Sequence, residues 1–231
     1  MDPRQRLIVA LDVSMAAAAR KIVAAVGDSA LAYKVGMQLY TAEGPSIVRE
    51  LVGSGRRVFL DLKYHDIPST AGAAVREAAQ LGVSMLTVHA SGGGKMLRAS
   101  VEAAQATKPD LLVLAVTVLT SLDDVDLGKI GLRGGVLDQV LRLTALALSN
   151  GCKGVVASAQ EAAALREEFG RDFAIVTPGV RPAGSGPNDQ ARVVTPAEAI
   201  AAGASHIVVG RPITEASDPA AEARAILGQI G

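Results

Sequence analysis

Short apolar runs alternating with helix-like segments constrain this chain more than any other feature. The runs are Leu7–Leu11, Ala32–Val35, Val58–Leu60, Met85–Val88, Leu111–Val116, Gly154–Ala157, Ala174–Val176 and His206–Val209. They are short and almost continuously apolar, as expected for parallel strands covered on both faces. The helical segments that follow are Met15–Val26, Pro45–Leu51, Ser69–Leu81, Lys95–Ala106, Gly135–Ser149, Ala159–Phe169, Pro196–Ala202 and Pro219–Ile230. Gly27, Gly53, Gly82, Gly151, Gly170 and Gly203 lie at or near the ends of these segments, where a left-handed residue is wanted. Strand then helix, eight times over, predicts an α/β fold. It favours a single (β/α)8 TIM barrel over an open doubly wound sheet. The length of 231 residues suits one such barrel, and no linker, charge block or low-complexity stretch divides it. Residues 1–231 therefore read as one domain.

Active sites of such barrels form at the C-terminal ends of the strands. Here those ends carry Asp12, Lys34, Asp61 with Lys63, His89, Thr120, Ser158, Arg181 and the pair Gly210-Arg211. Singly, each has a structural explanation. Asp12 suits a loop tether, Lys34 a surface charge, Ser158 a helix N-cap and His89 a hydrogen-bonded rim residue. Jointly they gather on one rim, whereas scattered surface charges should populate both. The densest stretch is Asp61-Leu-Lys63-Tyr-His-Asp66-Ile-Pro-Ser-Thr70. Strand alternation puts positions 61 and 63 on one face, and Pro68 marks the start of a helix. Charges crowded in this way need partners, and such clusters concentrate at functional sites. A solvated turn with Asp66 as a helix cap is the plain alternative.

The last two strand ends read as an anion site. Val208-Val209-Gly210-Arg211-Pro212 sets a glycine and a guanidinium at the exit of the eighth strand. Barrel phosphate sites are commonly built from the loops after strands seven and eight, and Arg pairs with phosphate in bidentate fashion. The seventh loop, Thr177 to Gln190, is long and glycine-rich and reads as a mobile lid with polar ends. Gly92-Gly93-Gly94 fits a helix-entry turn better than a phosphate cradle.

Bulk properties narrow the partners. Twenty-three basic and 23 acidic residues cancel, so no global charge favours nucleic acid or an anionic membrane. Leu111 to Leu119, the longest apolar stretch, is far too short to span a bilayer. Cys152 is the only cysteine, which suits a buried structural thiol and a reducing, cytoplasmic setting. The sequence shows no signal segment, His-rich cluster or cysteine pair for a metal. It also lacks a dinucleotide fingerprint after the first strand and a nucleophile elbow.

With these residues assembled, the chain closely resembles the orotidine 5′-monophosphate decarboxylase family from end to end. The resemblance is carried by Ala10-Leu-Asp12, Lys34-Val-Gly36, the 61–70 segment, Val118-Leu-Thr120-Ser121, Pro178-Gly-Val-Arg181-Pro, Gln190 and Gly210-Arg211-Pro-Ile. It implies decarboxylation of orotidine 5′-monophosphate to uridine 5′-monophosphate in pyrimidine synthesis, without cofactor or metal. Lys63 would be the general acid that protonates C6, with Asp61 beside the substrate carboxylate. Lys34 and Asp66 would complete a Lys-Asp-Lys-Asp network. In a homodimer, Asp66 and Thr70 would enter the partner's site. Asp12 and Lys34 would bind ribose, and Thr120 and Ser121 would lie near the base. Gln190, Arg211 and the Gly210 backbone would hold phosphate, and Arg181 would anchor the lid. Two other readings compete. One is a metal-dependent sugar-phosphate decarboxylase or aldolase with a related Asp-x-Lys-x-x-Asp pattern; the His65-Asp66-Ile67-Pro68 context argues against it. The other is a non-catalytic phosphate-binding barrel, disfavoured by the intact Asp61, Lys63 and Asp66.

Overall fold

The structure, a computed structural model, describes residues 2–182 and 194–231. The strands are β1 (Leu7–Ala10), β2 (Ala32–Gly36), β3 (Arg57–Tyr64), β4 (Met85–His89), β5 (Leu112–Val116), β6 (Gly154–Val156), β7 (Ala174–Thr177) and β8 (His206–Val209). They pair in parallel in sequence order, and β8 returns to β1 to close the barrel. The predicted (β/α)8 architecture is the one observed. Among the described residues the helices are α1 (Pro3–Arg6), α2 (Ala16–Val26), α3 (Met37–Glu43), α4 (Pro45–Gly53), α5 (Pro68–Gln80) and α6 (Gly93–Thr107), then α7 (Asp124–Lys129), α8 (Val136–Ser149), α9 (Ala159–Phe169), α10 (Pro196–Ala201), α11 (Arg211–Thr214) and α12 (Pro219–Ile230). No helix among the described residues is long and apolar enough to cross a membrane.

Two apolar layers hold the barrel. Strand residues of one parity point inward, and Ile8, Ala10, Ala32, Phe59, Met85, Leu114, Val176 and Val208 fill the interior. Those of the other parity, including Leu7, Val9, Tyr33, Leu60 and Leu86, pack beneath the helices in a larger cluster. Each strand therefore buries both faces, which explains why the runs are mostly apolar. The inward row has a consequence for function. One step beyond the apolar layer, the same parity delivers Lys34, Asp61 and Thr87 to the C-terminal mouth.

Several local expectations change. Helix α3 was not foreseen, nor were α1, α7 and α11; the longest of these has 7 residues, too few for a clear apolar period. Gly44, at φ +64, and Pro45 separate α3 from α4. Gly53 is not left-handed: it lies in the last turn of α4, and Gly55 takes the positive φ of +80 instead. Strand β3 runs four residues past Leu60, because its C-terminal half carries the charged residues that an apolar criterion misses. Pro68 does begin α5, Ser158 does cap α9, and Gly93 opens α6 as a helix-entry residue. Cys152 is buried, which pushes its thiol up to about 12.

Barrel closure between β5, β6 and β7 needs a residue without a side chain at position 154. A Cβ there would lie 2.5 Å from the Ala174 carbonyl oxygen and 2.8 Å from Leu114 Cδ2. A backbone oxygen cannot swing aside as a side chain can. Gly154→Ala is therefore expected to destabilise the barrel by about 1–3 kcal/mol, lowering Tm by roughly 2–12 °C. Thermal denaturation followed by circular dichroism checks this; an unchanged Tm would show that β6 and β7 are spaced more loosely than described.

Candidate active site

Strand β3 departs from regular pairing where its charges begin. Leu60 pairs with Leu86, but Tyr64 pairs with Val88, so four steps along β3 match two along β4. The surplus residues form a bulge containing Asp61, Leu62 and Lys63. Lys63 has φ +52, the only positive φ at a non-glycine among the described residues. A left-handed L-residue costs about 1–2 kcal/mol, so something must hold it. The holder is Thr87 on β4, fully buried in the inward row. Its hydroxyl accepts the Lys63 N–H at 2.9 Å and donates to Asp61 Oδ1 at 3.0 Å. A neutral hydrogen bond contributes about 1 kcal/mol and one to a charged group about 1.5–3, enough to offset the strain.

The bulge aims Lys63 Nζ at the carboxylate of Asp61, 3.0 Å from both oxygens. Alternation alone put the two side chains on one face; their actual meeting depends on the bulge. Asp61 Oδ2 also lies 3.8 Å from Lys34 Nζ, which donates to Asp12 Oδ1 at 2.8 Å. Four side chains from three strand ends thus form a charge-alternating row: Asp12, Lys34, Asp61, Lys63. Asp61 and Lys34 are largely shielded, each side chain 13% exposed, while Lys63 is 26% exposed and Asp12 57%. The row is screened inside and open at the Asp12 end. Gly36 makes room for it, since a Cβ there would sit 2.8 Å from Lys34 Nζ.

The row forms one wall of a cavity of about 620 Å³ at the C-terminal mouth. Phe59, Val116, Val156 and Val208 make an apolar floor, and the loops after β7 and β8 add Gly179, Arg181, Gly210 and Arg211 to the lining. Arg181 is buried, and its N–H donates to the Val194 carbonyl at 2.9 Å, beside a bridge between Val180 and Val194. Two lysines paired with carboxylates and two arginines therefore line the same cavity. Such a cavity suits an anionic ligand with a flat apolar middle.

Of the residues singled out in the sequence, Asp12, Lys34, Asp61, Lys63, Thr120, Arg181, Gly210 and Arg211 line this cavity. Asp66, Thr70 and Ser121 are exposed and lie outside its lining. The Asp66 carboxylate accepts the Ile67 N–H at 2.7 Å, ahead of α5. Gln190 and most of the predicted lid lie outside the described residues. His89 has the structural role expected of it. Its Nδ1 is 3.2 Å from Ser91 Oγ, and its ring stacks on His65 at 5.4 Å. Burial, then the neighbouring His65 and Lys63, push its pKa below the usual imidazole range. Among the described residues, no group of three or more His, Cys, Asp or Glu is placed to hold a metal.

Thr87 and Gln38 escaped the sequence reading. Gln38 lines the cavity and donates to Ser14 Oγ at 2.8 Å. Thr87 carried a usable signal, as the one polar residue among Met85-Leu86-Thr87-Val88 at inward parity. A threonine is at home in any strand, so the signal is faint.

Residues 5–226 match the sequence model of the orotidine 5′-phosphate decarboxylase / HUMPS family. An orotidine 5′-phosphate decarboxylase of Halorhodospira halophila is 53% identical over 225 residues, covering 97% of this chain and 95% of that protein. One from Hydrogenovibrio crunogenus is 48% identical over 231 residues, covering 100% and 98%. The crystal structure of orotidine 5′-phosphate decarboxylase from Lactobacillus acidophilus superposes with a TM-score of 0.89 at 39% identity, over 98% of this chain and 99% of that one.

Proposed function

The chain belongs to the orotidine 5′-phosphate decarboxylase / HUMPS family, and from that premise we propose that it converts orotidine 5′-monophosphate to uridine 5′-monophosphate and carbon dioxide, with Lys63 as the acid. One observation carries the reading. A lysine ammonium, fixed by a carboxylate on a strained bulge, lines a cavity of nucleotide size together with two arginines.

The chemistry needs that arrangement. When the bond between C6 and the carboxylate breaks, carbon dioxide leaves and the electron pair stays on C6. The Lys63 ammonium stabilises the developing charge and then gives its proton to C6, and the neutral amine regains a proton from solvent. The ion pair with Asp61 holds Nζ in place before substrate arrives, so little reorganisation accompanies the step. Asp61 beside the substrate carboxylate also repels the ground state. We rank that effect below preorganisation of Lys63. Asp12 and Lys34 bind ribose hydroxyls, and Thr120 and Ser121 lie near the base. Arg211, Gln190 and the Gly210 backbone grip phosphate, and Arg181 anchors the seventh loop as a lid. Phosphate is remote from C6, and its binding energy closes and assembles the site.

The working unit is a homodimer in which Asp66 and Thr70 enter the neighbouring site. Their exposure and their position outside the chain's own cavity support this. A soluble nucleotide substrate and a free buried Cys152 fit the cytoplasm.

Adding orotidine 5′-monophosphate and following the loss of its ultraviolet absorbance tests the reaction. Turnover is expected, at the same rate with and without a chelator. No turnover would remove the reading, and chelator-sensitive turnover would favour a metal-assisted relative. The shared site makes a separate prediction. Lys63→Ala and Asp66→Ala homodimers should both be nearly inactive. After subunit exchange, verified by native mass spectrometry, half the dimers are mixed and half their sites carry neither lesion. Roughly a quarter of wild-type activity should then return. Verified heterodimers without recovered activity would place both residues in one chain's site.

A further inference from the structure

Thr87 belongs to no part of the row of charges and does not line the cavity, yet it touches both residues on which the chemistry rests. We propose that Thr87 is a positioning residue for the decarboxylation, through one hydroxyl that locks the Lys63 backbone and the Asp61 carboxylate in register; this rests on the assignment of Lys63 as the acid.

A hydroxyl has one proton and can also accept. Here the proton goes to Asp61 Oδ1 at 3.0 Å, and the oxygen receives the Lys63 N–H at 2.9 Å. Both capacities are engaged within two neighbouring strands, and the side chain is fully buried. Neither contact can be handed to bulk water without opening the barrel. The same residue that adopts φ +52 donates its N–H to Thr87, so the bond anchors the bulge at its left-handed residue. The other face of Asp61 is fixed by Lys63 Nζ. Removing the hydroxyl takes away the partner of a part-buried N–H and leaves Asp61 Oδ1 with Lys63 Nζ alone among these contacts. The ammonium then loses its fixed aim while the arginine side of the cavity stays intact.

Thr87→Val keeps the shape and removes only the hydroxyl; Thr87→Ser keeps the hydroxyl. With the full-length chain, kcat for orotidine 5′-monophosphate should fall about 10- to 100-fold in Thr87→Val, as a small misplacement of a catalytic group does. KM and the affinity for uridine 5′-monophosphate should stay within about threefold. Thr87→Ser should recover kcat to within about threefold of wild type. Crystal structures of the three proteins give a readout independent of turnover. In Thr87→Val, Lys63 should leave the positive-φ region and the contact between Nζ and Asp61 should lengthen. Should Thr87→Val not fold, Thr87→Ala removes the same hydroxyl with less bulk and answers the same question. Wild-type kcat in the hydroxyl-less variant, or an unmoved Lys63 and Asp61, would overturn the proposal. So would a loss of kcat matched by equal losses of nucleotide affinity and Tm that serine does not rescue. A wild-type protein inert toward orotidine 5′-monophosphate would instead refute the assigned reaction, and the structures would still decide whether Thr87 sets the bulge.

Discussion

Everything specific about this barrel turns on the bulge in β3 and the contact it creates between Lys63 and Asp61. Regular pairing would continue the ladder to the strand end and spend those residues on it. Instead, the surplus residues put a left-handed lysine at the mouth, with its ammonium 3.0 Å from both oxygens of Asp61. The strain of about 1–2 kcal/mol is comparable with what the two Thr87 hydrogen bonds return. The bulge therefore persists because β4 lies alongside, and β4 lies there because the barrel closes. Fold and site are coupled through a single hydroxyl.

The cavity divides its labour by position. In the proposed reaction the charge row at the ends of β1, β2 and β3 would meet the reacting carbon, and the loops after β7 and β8 would meet the phosphate. An apolar floor separates them, where a pyrimidine ring can lie. This separation lets binding energy gathered far from the chemistry serve the chemistry.

The eight strands and their order could be read from the sequence because each strand buries both faces over most of its length and so is mostly apolar. The rim residues could be read too, since Lys34 and Asp61 follow the apolar inward row at the same parity. The bulge could not. Lys63 has no preference for positive φ, and tertiary pairing imposes it against local preference. The short helices α3, α7 and α11 escaped because a turn or two carries no period. Thr87 was hidden by its own suitability as a strand residue. Asp66 and Thr70 were assigned through family resemblance, and their exposure in one chain leaves their role to the dimer experiment.

The central claim is that one ammonium, fixed by Asp61, acts as both the stabilising charge and the acid. Turnover and uridine 5′-monophosphate binding by Lys63→Ala test it most directly. Loss of the cation should lower kcat at least roughly a thousandfold, about 4 kcal/mol of transition-state stabilisation, while product affinity changes by less than about tenfold. A variant that binds product and still turns over within about tenfold of wild type would contradict the account, because the proton would then come from elsewhere.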